Sequence, residues 1–262
     1  YHWKPLVSCL LAEVLVEAPA ELVLDCVAWQ GHVVGPPEGH SSRYRDRQNL
    51  IILACWGTQR NQGPILQVLL QVLPPRGTIL EVSSGTGEHA IFLAPRLRPR
   101  KWIPSDPDPD ARASIAAWRK HCPTDNLYPP IALDARDPVW AVEQDELPEA
   151  LQDIDFKHDP IVAIVNINMI HIAPWSACLG LMSRARQILP PGGILYLYGP
   201  FKQGGKHTAP SNAAFDERLQ AQNPEWGVRD LDEVVAVAQA QSLSLVKTYV
   251  MPANNLSVIF QA

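Results

Sequence analysis

Residues 78–90 have the sequence TILEVSSGTGEHA, in which a short apolar run gives way to a loop containing two glycines. The run TILEV predicts a buried strand, and HAIFLAPRL, which starts within the end of the loop, predicts a helix. Gly85 and Gly87 suit a tight turn in which bare backbone approaches a ligand. The stretch therefore predicts a strand, a ligand-binding loop and a helix, as in an α/β sheet.

The same alternation continues toward the C-terminus. Strands are predicted at KWIPSD (101–106), IALD (131–134) and GILYLYG (193–199), and PIVAIVNINMI (160–170) is apolar enough for a central strand covered on both faces. Two further runs, LSLVKTYVM and LSVIFQ, are joined by PANN and predict a closing antiparallel hairpin. We predict an α/β fold with a mostly parallel seven-stranded sheet, helices on both faces and right-handed crossovers.

The first part of the chain lacks this alternation. Residues 1–57 combine an acidic apolar run with a Gly/Pro stretch and a basic patch. We expect an N-terminal extension of uncertain structure there, and one catalytic domain over residues 58–262.

Composition limits the classes of function. The chain has 262 residues and a formal net charge of −5, so nucleic acid is a weaker expectation than a small-molecule substrate. Glu13, Glu17 and Glu21 interrupt the most apolar stretch, so we expect no membrane span. The five cysteines are scattered and never form C-x-x-C, which disfavours a zinc site or a disulfide framework. We expect a cytoplasmic protein without a bound metal.

Carboxylates frame the predicted glycine loop. Glu81 lies within the strand before it, and Asp106 ends the next strand, where a carboxylate can accept the ribose hydroxyls of an adenosine cofactor. The loop also satisfies the dinucleotide pattern G-x-G-x-x-A, so the loop alone does not choose the cofactor. Glu81, the acid Asp134 after the third strand and the closing hairpin favour S-adenosylmethionine. In the alternative interpretation the loop is only a turn and Asp106 a helix cap, and Asp134 is equally explained as a turn residue.

The substrate should bind beyond the carboxyl ends of the strands, as ligands do in open α/β sheets. Asn166, Asn168 and His171 follow the predicted central strand, and we assign Asn166 to the cofactor and Asn168 to the substrate. His171 is a candidate general base, because the unperturbed pKa of histidine is ~6.5. A structural histidine is the alternative.

A second group of candidates follows the fifth strand. The insert PFKQGGKHTAPSN predicts either a lid or a solvated basic loop, and FDERLQAQNPEWGVRD can box an aromatic or cationic group. Asp216 is the second candidate base. In the alternative, the tryptophan packs on the domain beside an Arg–Asp surface pair. The candidate substrate contacts are Asn168, Tyr198, Asn212, Phe215, Trp226, Arg229 and Asp230.

Several blocks in order resemble one known family. RNQGPILQVLLQVLP, EVSSGTGEHA, WIPSD, NINMIHIAPW, YGPF, NPEWGVRD and MPANN resemble the methyltransferase-like 26 family of S-adenosylmethionine-dependent methyltransferases, from about Gln59 to the C-terminus. The resemblance does not extend to residues 1–57, and the family supplies no substrate.

The resemblance implies a class I methyltransferase fold, Rossmann-like, with S-adenosyl-L-methionine as cofactor. The broad pattern acid-x-Gly-x-Gly-x-Gly has Ser83 here in place of its first glycine. The implied cofactor contacts are Glu81, Gly85, Gly87 and Asp106, with Arg60 and Asn61 near the mouth of the site.

Three functional hypotheses follow. The first is methyl transfer from the sulfonium to a nucleophile on a small molecule, by in-line displacement that depends mainly on alignment of donor and acceptor. The second is a non-catalytic module on the same fold, which binds the cofactor or uses the region of Trp226 and Arg229 as a protein contact. The third, least favoured, is a nicotinamide-dependent oxidoreductase.

Overall fold

The computed structural model describes the backbone of residues 42–45, 51–54 and 56–262, and the side chains from Arg60 onward. Most of the predicted N-terminal extension therefore lies outside the described residues. Two short strands within it, β1 (Ser42–Arg45) and β2 (Ile51–Ala54), pair antiparallel. Among the described residues, no helix combines the length and the apolar character that crossing a membrane requires.

From residue 56 onward, helices and strands alternate as the sequence predicts. Short 3₁₀ turns lie at Ala141–Glu143, Glu149–Leu151, Met169–His171 and Pro252–Asn254. In chain order the elements are α1 (Trp56–Val72), β3 (Thr78–Val82), α2 (Glu88–Arg96), β4 (Lys101–Ser105), α3 (Pro109–His121), β5 (Ile161–Ile167), α4 (Trp175–Ile188), β6 (Ile194–Gly199), β7 (Lys202–Gln203), β8 (Lys206–His207), α5 (Pro210–Gln222), α6 (Leu231–Ala240), β9 (Ser244–Met251) and β10 (Asn255–Gln261).

The main sheet has the strand order β4-β3-β5-β6-β10-β9. Strands β4, β3, β5 and β6 are parallel, and β10 runs antiparallel to both β6 and β9. The predicted fold class, a mostly parallel sheet with a C-terminal antiparallel hairpin, is confirmed. Because the parallel strands run the same way, their carboxyl ends share one edge of the sheet, where a ligand site is expected.

Helices cover both faces of this sheet. Alternate residues of β3 point to opposite sides, so Ile79 packs with Leu69 of α1 and Leu93 of α2, whereas Leu80 packs with Leu181 of α4. The two apolar layers leave β3 and β5 almost wholly buried. This explains why the sequence of β5 is a continuous apolar run rather than an alternating one.

The sheet differs from the prediction in one strand. Of the segment predicted as a third strand, IALD (131–134), Ile131 makes an isolated parallel bridge to Ser105 of β4, and Leu127, which precedes the segment, makes another to Trp102. Pro129 and Pro130 separate the two bridges and have no N–H to donate, so a continuous ladder cannot form. The main sheet therefore has six strands, and this segment lies where the seventh was predicted.

The loop after β3 begins at a conformation that suits glycine. Ser83, which replaces the first glycine of the methyltransferase pattern, has a φ of 58°. A left-handed backbone costs a residue with a Cβ roughly 1–2 kcal/mol. The loop has the backbone conformation that a glycine would favour, so Ser83 lowers the stability of the folded state through backbone strain.

We expect Ser83→Gly to raise the free energy of unfolding by up to about 1 kcal/mol, because the strain it relieves exceeds the chain entropy that glycine adds to the unfolded state. Chemical denaturation of the full chain measures this change. Ser83→Ala is the matched control, since it removes the hydroxyl and keeps the Cβ, and it should leave stability nearly unchanged. A glycine variant no more stable than the alanine variant would contradict the argument.

Candidate functional site

The glycine loop joins the carboxyl end of β3 to the start of α2. Gly85 and Gly87 have φ values of 56° and 90°, and Gly87 caps the N-terminus of α2. A Cβ at Gly87 would lie 2.8 Å from Cγ1 of Ile115 in α3, too close for any side chain. Gly87 is therefore required both by its backbone conformation and by the approach of α3.

Asp106 holds this loop from the end of β4. Its Oδ2 accepts a hydrogen bond from the Gly85 N–H at 2.9 Å, and its Oδ1 accepts one from the Asp108 N–H at 2.9 Å. Each carboxylate oxygen keeps a further acceptor site, so Asp106 can still receive hydroxyl donors. Burial raises the pKa of Asp106 to about 6, although the two N–H donors lower it.

Two serines that the sequence analysis did not single out complete the link. The Ser84 N–H donates to the Ser105 carbonyl at 2.8 Å, and the Ser105 N–H donates to Ser84 Oγ at 3.1 Å. The Ser105 hydroxyl also donates to the Glu81 carbonyl at 2.7 Å. The only signal in the sequence was the position of each serine directly at a predicted strand end.

Glu81 is buried in β3, directly before the loop. The side chain is almost fully buried, and its Oε2 accepts a hydrogen bond from Trp102 Nε1 at 3.0 Å. Burial raises the pKa of Glu81 to about 7, the hydrogen bonds from Trp102 and Ser84 lower it, and the nearby Asp106 raises it. The Glu81 carboxyl group therefore contacts the loop through Ser84 and the next strand through Trp102.

A polar network at the start of α1 lies beside the first turn of α2. The Asn61 Oδ1 and His89 Nε2 atoms are 2.8 Å apart. Burial lowers the pKa of His89 to about 4, so the ring is neutral and Nε2 is the donor. Asn61 also bonds the Tyr198 hydroxyl, which accepts a further hydrogen bond from Asn255 at 3.0 Å. Arg60, next to this network, is exposed.

His89 was missed by the sequence analysis, although it lies inside the glycine-loop stretch. The two neighbouring candidates Arg60 and Asn61 have different environments. Asn61 links α1 to α2 and β6 through His89 and Tyr198, whereas Arg60 is exposed to solvent. Pairing between Asn61 and His89 depends on how α1 and α2 pack, which the sequence pattern does not contain.

The carboxyl end of β5 carries two buried asparagines. Asn166 Nδ2 donates to the Val82 carbonyl at 2.9 Å, which fixes the end of β5 to the end of β3. Asn168 has a left-handed backbone, with a φ of 67°. The Oδ1 atoms of both asparagines are buried, and neither has a hydrogen-bond partner among the described residues.

His171 is buried at the turn that follows. Its Nδ1 accepts a hydrogen bond from the Arg229 N–H at 3.2 Å, and its carbonyl accepts one from the Gly227 N–H at 2.9 Å. Its ring makes an edge contact with Phe201, with 4.9 Å between ring centroids. Burial, and then the positive charge of Arg229, lowers the pKa of His171 to about 3, although a hydrogen bond with the Gly227 backbone and the charge of Asp216 raise it. The ring is therefore neutral, and its proton is on Nε2.

Both carboxylate oxygens of Asp216, in α5, have hydrogen-bond or ion-pair partners. Its Oδ1 accepts from the Val228 N–H at 2.7 Å, and its Oδ2 lies 2.7 Å from Lys202 Nζ and 3.1 Å from His207 Nε2. Desolvation acts to raise the pKa of Asp216, and these donors bring it below its usual range. The carboxylate therefore ties α5 to the β7–β8 hairpin.

The remaining candidates on this side also bond to the protein. The Arg229 guanidinium donates to the carbonyls of Ile170 at 2.9 Å and Ala173 at 2.7 Å. Asp230 caps α6 and accepts from the Gly205 N–H at 2.6 Å, and Asn212 donates to the Asn254 carbonyl at 3.0 Å. Phe215 and Trp226 form a small apolar cluster with Leu219 and Val228.

The insert after β6 is a tied hairpin. Besides the ion pairs that Lys202 and His207 make with Asp216, the Lys202 N–H donates to the Arg229 carbonyl at 2.9 Å.

Asp134, after the predicted third strand, pairs with Arg136 at 2.6 Å, and this hydrogen bond lowers the pKa of Asp134 despite partial burial. The structure therefore brings the glycine loop, Asp106 and the two asparagines to one edge of the sheet. Asp134 instead pairs with the neighbouring Arg136, and Asp216 of α5 bonds to Lys202 and Val228.

Comparisons with known proteins agree with this architecture. A sequence model of the family described as protein of unknown function DUF938 matches residues 54–262. An O-methyltransferase family protein from Burkholderia thailandensis superposes with a TM-score of 0.61 at 13% identity, over 78% of this chain and 57% of that one.

Two further solved structures have the same fold. An O-methyltransferase family 2 protein from Planctomyces limnophilus, in complex with apigenin, gives a TM-score of 0.57 at 19% identity, over 77% of this chain and 61% of that one. CalO1, a methyltransferase in calicheamicin biosynthesis with SAH bound, gives 0.55 at 13% identity, over 76% and 53%. At these identities the likeness establishes the fold, and this chain spans little more than half the length of each protein.

The raised pKa of Glu81 makes a stability prediction. A folded-state pKa of about 7, against an ordinary value of 4.5, means that unfolding releases a proton between these pH values. The free energy of unfolding should therefore fall through this window as pH rises, by about 3 kcal/mol from this group. Glu81→Gln keeps an acceptor for Trp102 and does not titrate, so its advantage over the parent should grow from pH 4.5 to pH 7.5.

Urea denaturation of both proteins across this range, without added ligand, measures the difference. All other titrating groups are common to the two proteins and largely cancel. A difference in unfolding free energy that stays constant with pH would show that Glu81 has the same pKa in the folded and unfolded states.

Proposed function

The chain belongs to the DUF938 family, a family of proteins of unknown function, and on that premise we propose that it is an S-adenosylmethionine-dependent methyltransferase acting on a small molecule. The observation that carries the proposal is the bond between Gly85 and Asp106, which places a buried carboxylate directly against a bare-backbone loop. A loop with bare backbone at Gly85 and Gly87, next to a hydroxyl-accepting acid, suits an adenosine-containing cofactor. The finer resemblance to the methyltransferase-like 26 family is part of the same proposal, as is a methyltransferase domain over residues 58–262.

The residues present fit S-adenosylmethionine. Asp106 would accept ribose hydroxyls with its remaining acceptor sites, and Gly85 and Gly87 would let the cofactor approach the backbone. Asn166 offers a buried Oδ1 that lacks a donor among the described residues, which a ligand donor would satisfy. Glu81 would help to position the cofactor loop through its hydrogen bond with Ser84. Further candidates for cofactor contacts are Asp134, Arg60 and Asn61.

The bound cofactor would supply a methyl group on a positively charged sulfur. The chain would supply alignment, since displacement at a methyl carbon gains most from holding donor and acceptor in line. A base role for His171 or Asp216 stays a prediction. His171 would have to exchange its Nε2 proton and release the Arg229 N–H, and Asp216 would have to give up its pairing with Lys202.

The alternatives use the same loop. Nicotinamide binding is less favoured, because the sheet closes with an antiparallel hairpin and its neighbours in fold include a methyltransferase with SAH bound. A small-molecule acceptor is supported by the neighbour in complex with apigenin.

The scattered cysteines support a cytoplasmic location.

We expect the full chain to bind S-adenosylmethionine with a micromolar dissociation constant in calorimetric titration, and NAD much more weakly. Asp106→Ala should weaken binding of S-adenosylmethionine by roughly tenfold or more, because it removes a charged acceptor and frees Gly85. Asp108→Ala is the matched control: its carboxylate caps α3 through the Asp110 N–H and makes no bond to the loop. It should leave cofactor affinity unchanged.

Tighter binding of NAD would overturn the proposal in favour of an oxidoreductase. Binding of S-adenosylmethionine with no turnover across a broad metabolite panel would instead favour the non-catalytic module. Folded protein that binds neither ligand would show that the loop is only architecture.

A further inference from the structure

The hydroxyl group of Tyr198 lies at the carboxyl end of β6, between the start of α1 and the start of β10. Asn255 Nδ2, in β10, donates to its oxygen at 3.0 Å. Asn61 Oδ1, in α1, is occupied by the His89 ring at 2.8 Å, so the bond from Asn61 to Tyr198 comes from the Asn61 amide nitrogen. The phenol oxygen therefore accepts two amide N–H groups.

The hydrogen of this hydroxyl is left without an acceptor. The two amide N–H groups occupy the lone pairs of the oxygen, and neither amide can also take the hydrogen, because each presents its nitrogen. Within the described part of the chain, Asn61 and Asn255 are the only hydrogen-bond partners of the Tyr198 side chain. Tyr198 therefore keeps one O–H donor for a ligand.

The hydroxyl stays protonated. Burial raises the pKa of Tyr198 above its ordinary value, although the two amide donors lower it. Burial and these amides are the causes of the shift, so no carboxylate among the described residues acts on the hydroxyl. Two N–H groups that donate to the oxygen also polarise the O–H bond, which makes it a stronger donor.

The surroundings of the Tyr198 hydroxyl are partly open at the ligand edge of the sheet. The side chains of Asn61 and Asn255 are half-buried, and the bond from Asn255 to Tyr198 is only part-buried. The hydroxyl of Tyr196, two residues earlier on the same face of β6, is by contrast enclosed in the core with Ser257 at 2.7 Å. A ligand that lies beside the two amides can therefore reach Tyr198 but not Tyr196.

The charges around this hydroxyl favour a negatively charged acceptor. Arg60 is exposed at the start of α1, and His89 lies in the first turn of α2, where the N–H groups carry a partial positive charge. Glu88, the acid of the same turn, is buried and accepts from the Thr86 hydroxyl at 3.1 Å. A carboxylate accepts from an O–H group and matches the positive surroundings, whereas a cation has no lone pair to offer.

We propose that the Tyr198 hydroxyl donates a hydrogen bond to a ligand carboxylate at the carboxyl edge of the sheet, with Arg60 as the neighbouring positive charge. The inference rests on the proposed function, and it assigns an anion subsite that neither the glycine loop nor Asp106 provides. The carboxylate has two sources, the amino-acid end of the cofactor or an acidic substrate. No proton is transferred when it binds.

The cofactor source is tested with S-adenosylhomocysteine and 5′-methylthioadenosine, which share the adenosine but differ in the amino-acid end. Calorimetric titration of the full chain measures both affinities. If the carboxylate is that of the cofactor, Tyr198→Phe lowers the affinity for S-adenosylhomocysteine about tenfold and leaves that for 5′-methylthioadenosine unchanged, because only the first ligand carries a carboxylate. Equal losses for the two ligands would overturn the inference.

The substrate source is tested with benzoate and toluene on protein saturated with S-adenosylhomocysteine. If the carboxylate is that of the substrate, Tyr198→Phe lowers the affinity for benzoate about tenfold in ligand-observed NMR and leaves that for toluene unchanged. A parent protein that binds benzoate no better than Tyr198→Phe does, together with an unchanged affinity for S-adenosylhomocysteine, would show that Tyr198 binds no carboxylate.

Two further variants separate donation to a ligand from bonding within the protein. Tyr196→Phe is the matched control, since it removes a hydroxyl from the same face of the same strand, and it should bind every ligand like the parent. Asn255→Ala deletes the bond between Asn255 and Tyr198 but keeps the Tyr198 hydroxyl. A loss of carboxylate affinity in Asn255→Ala as large as in Tyr198→Phe would assign the effect to internal bonding and contradict the inference.

Cofactor binding separates the two proposals. If S-adenosylhomocysteine binds the parent, and Tyr198→Phe binds it and benzoate as tightly as the parent does, the anion subsite is wrong and the proposed function stands. If S-adenosylhomocysteine does not bind folded protein, the proposed function fails, and the benzoate comparison without it still decides whether Tyr198 binds a carboxylate.

Discussion

The contact between the glycine loop and the end of β4 is the constraint on which the site depends. Ser83 has a positive φ that strains its backbone, and Gly85 and Gly87 lose much conformational freedom when they are fixed, so this turn is unfavourable in isolation. It is offset by bonds to one short segment: Gly85 to Asp106, and the reciprocal pair between Ser84 and Ser105. Because α2 begins at Gly87, the same bonds set where that helix starts. Ser105 also donates to the Glu81 carbonyl, and the buried Glu81 carboxyl group holds its proton to higher pH.

The sequence predicted those parts of the fold that depend on the period of apolar residues and on chain direction. TILEV became β3, and PIVAIVNINMI contains β5, because both faces of each are buried. Glu81, Gly85 and Asp106 meet because adjacent parallel strands end at one edge, a consequence of topology rather than of distance along the chain. The strand predicted at 131–134 pairs only through Ile131, and the two prolines directly before it have no N–H to extend the pairing toward Leu127, a backbone effect that the apolar pattern does not reveal.

Side-chain partners were the part that could not be predicted. Asn61 finds His89 only because α1 and α2 pack side by side, and Glu81 finds Trp102 only because both side chains lie in the same layer. The polar stretch around α5 shows the same limit, although its predicted ligand contacts stay predictions. Its charges are close in sequence and were interpreted as ligand contacts, yet Asp216 and Asp230 mainly satisfy donors of the β7–β8 hairpin and its surroundings. Polar residues clustered in sequence are able to bond one another, and only the fold shows how much of their capacity is used.

That internal bonding still bears on the ligand edge of the sheet. The segment after β5 and the segment after α5 are joined in both directions: Arg229 donates to the carbonyls of Ile170 and Ala173, while the N–H groups of Gly227 and Arg229 donate to His171. A shift of one segment therefore moves the other. Arg229 need not touch a ligand to affect it, because its main chain determines which ring nitrogen of His171 carries the proton. The hydrogen-bonding character of the sheet edge is thus set by a loop nearly sixty residues further along the chain.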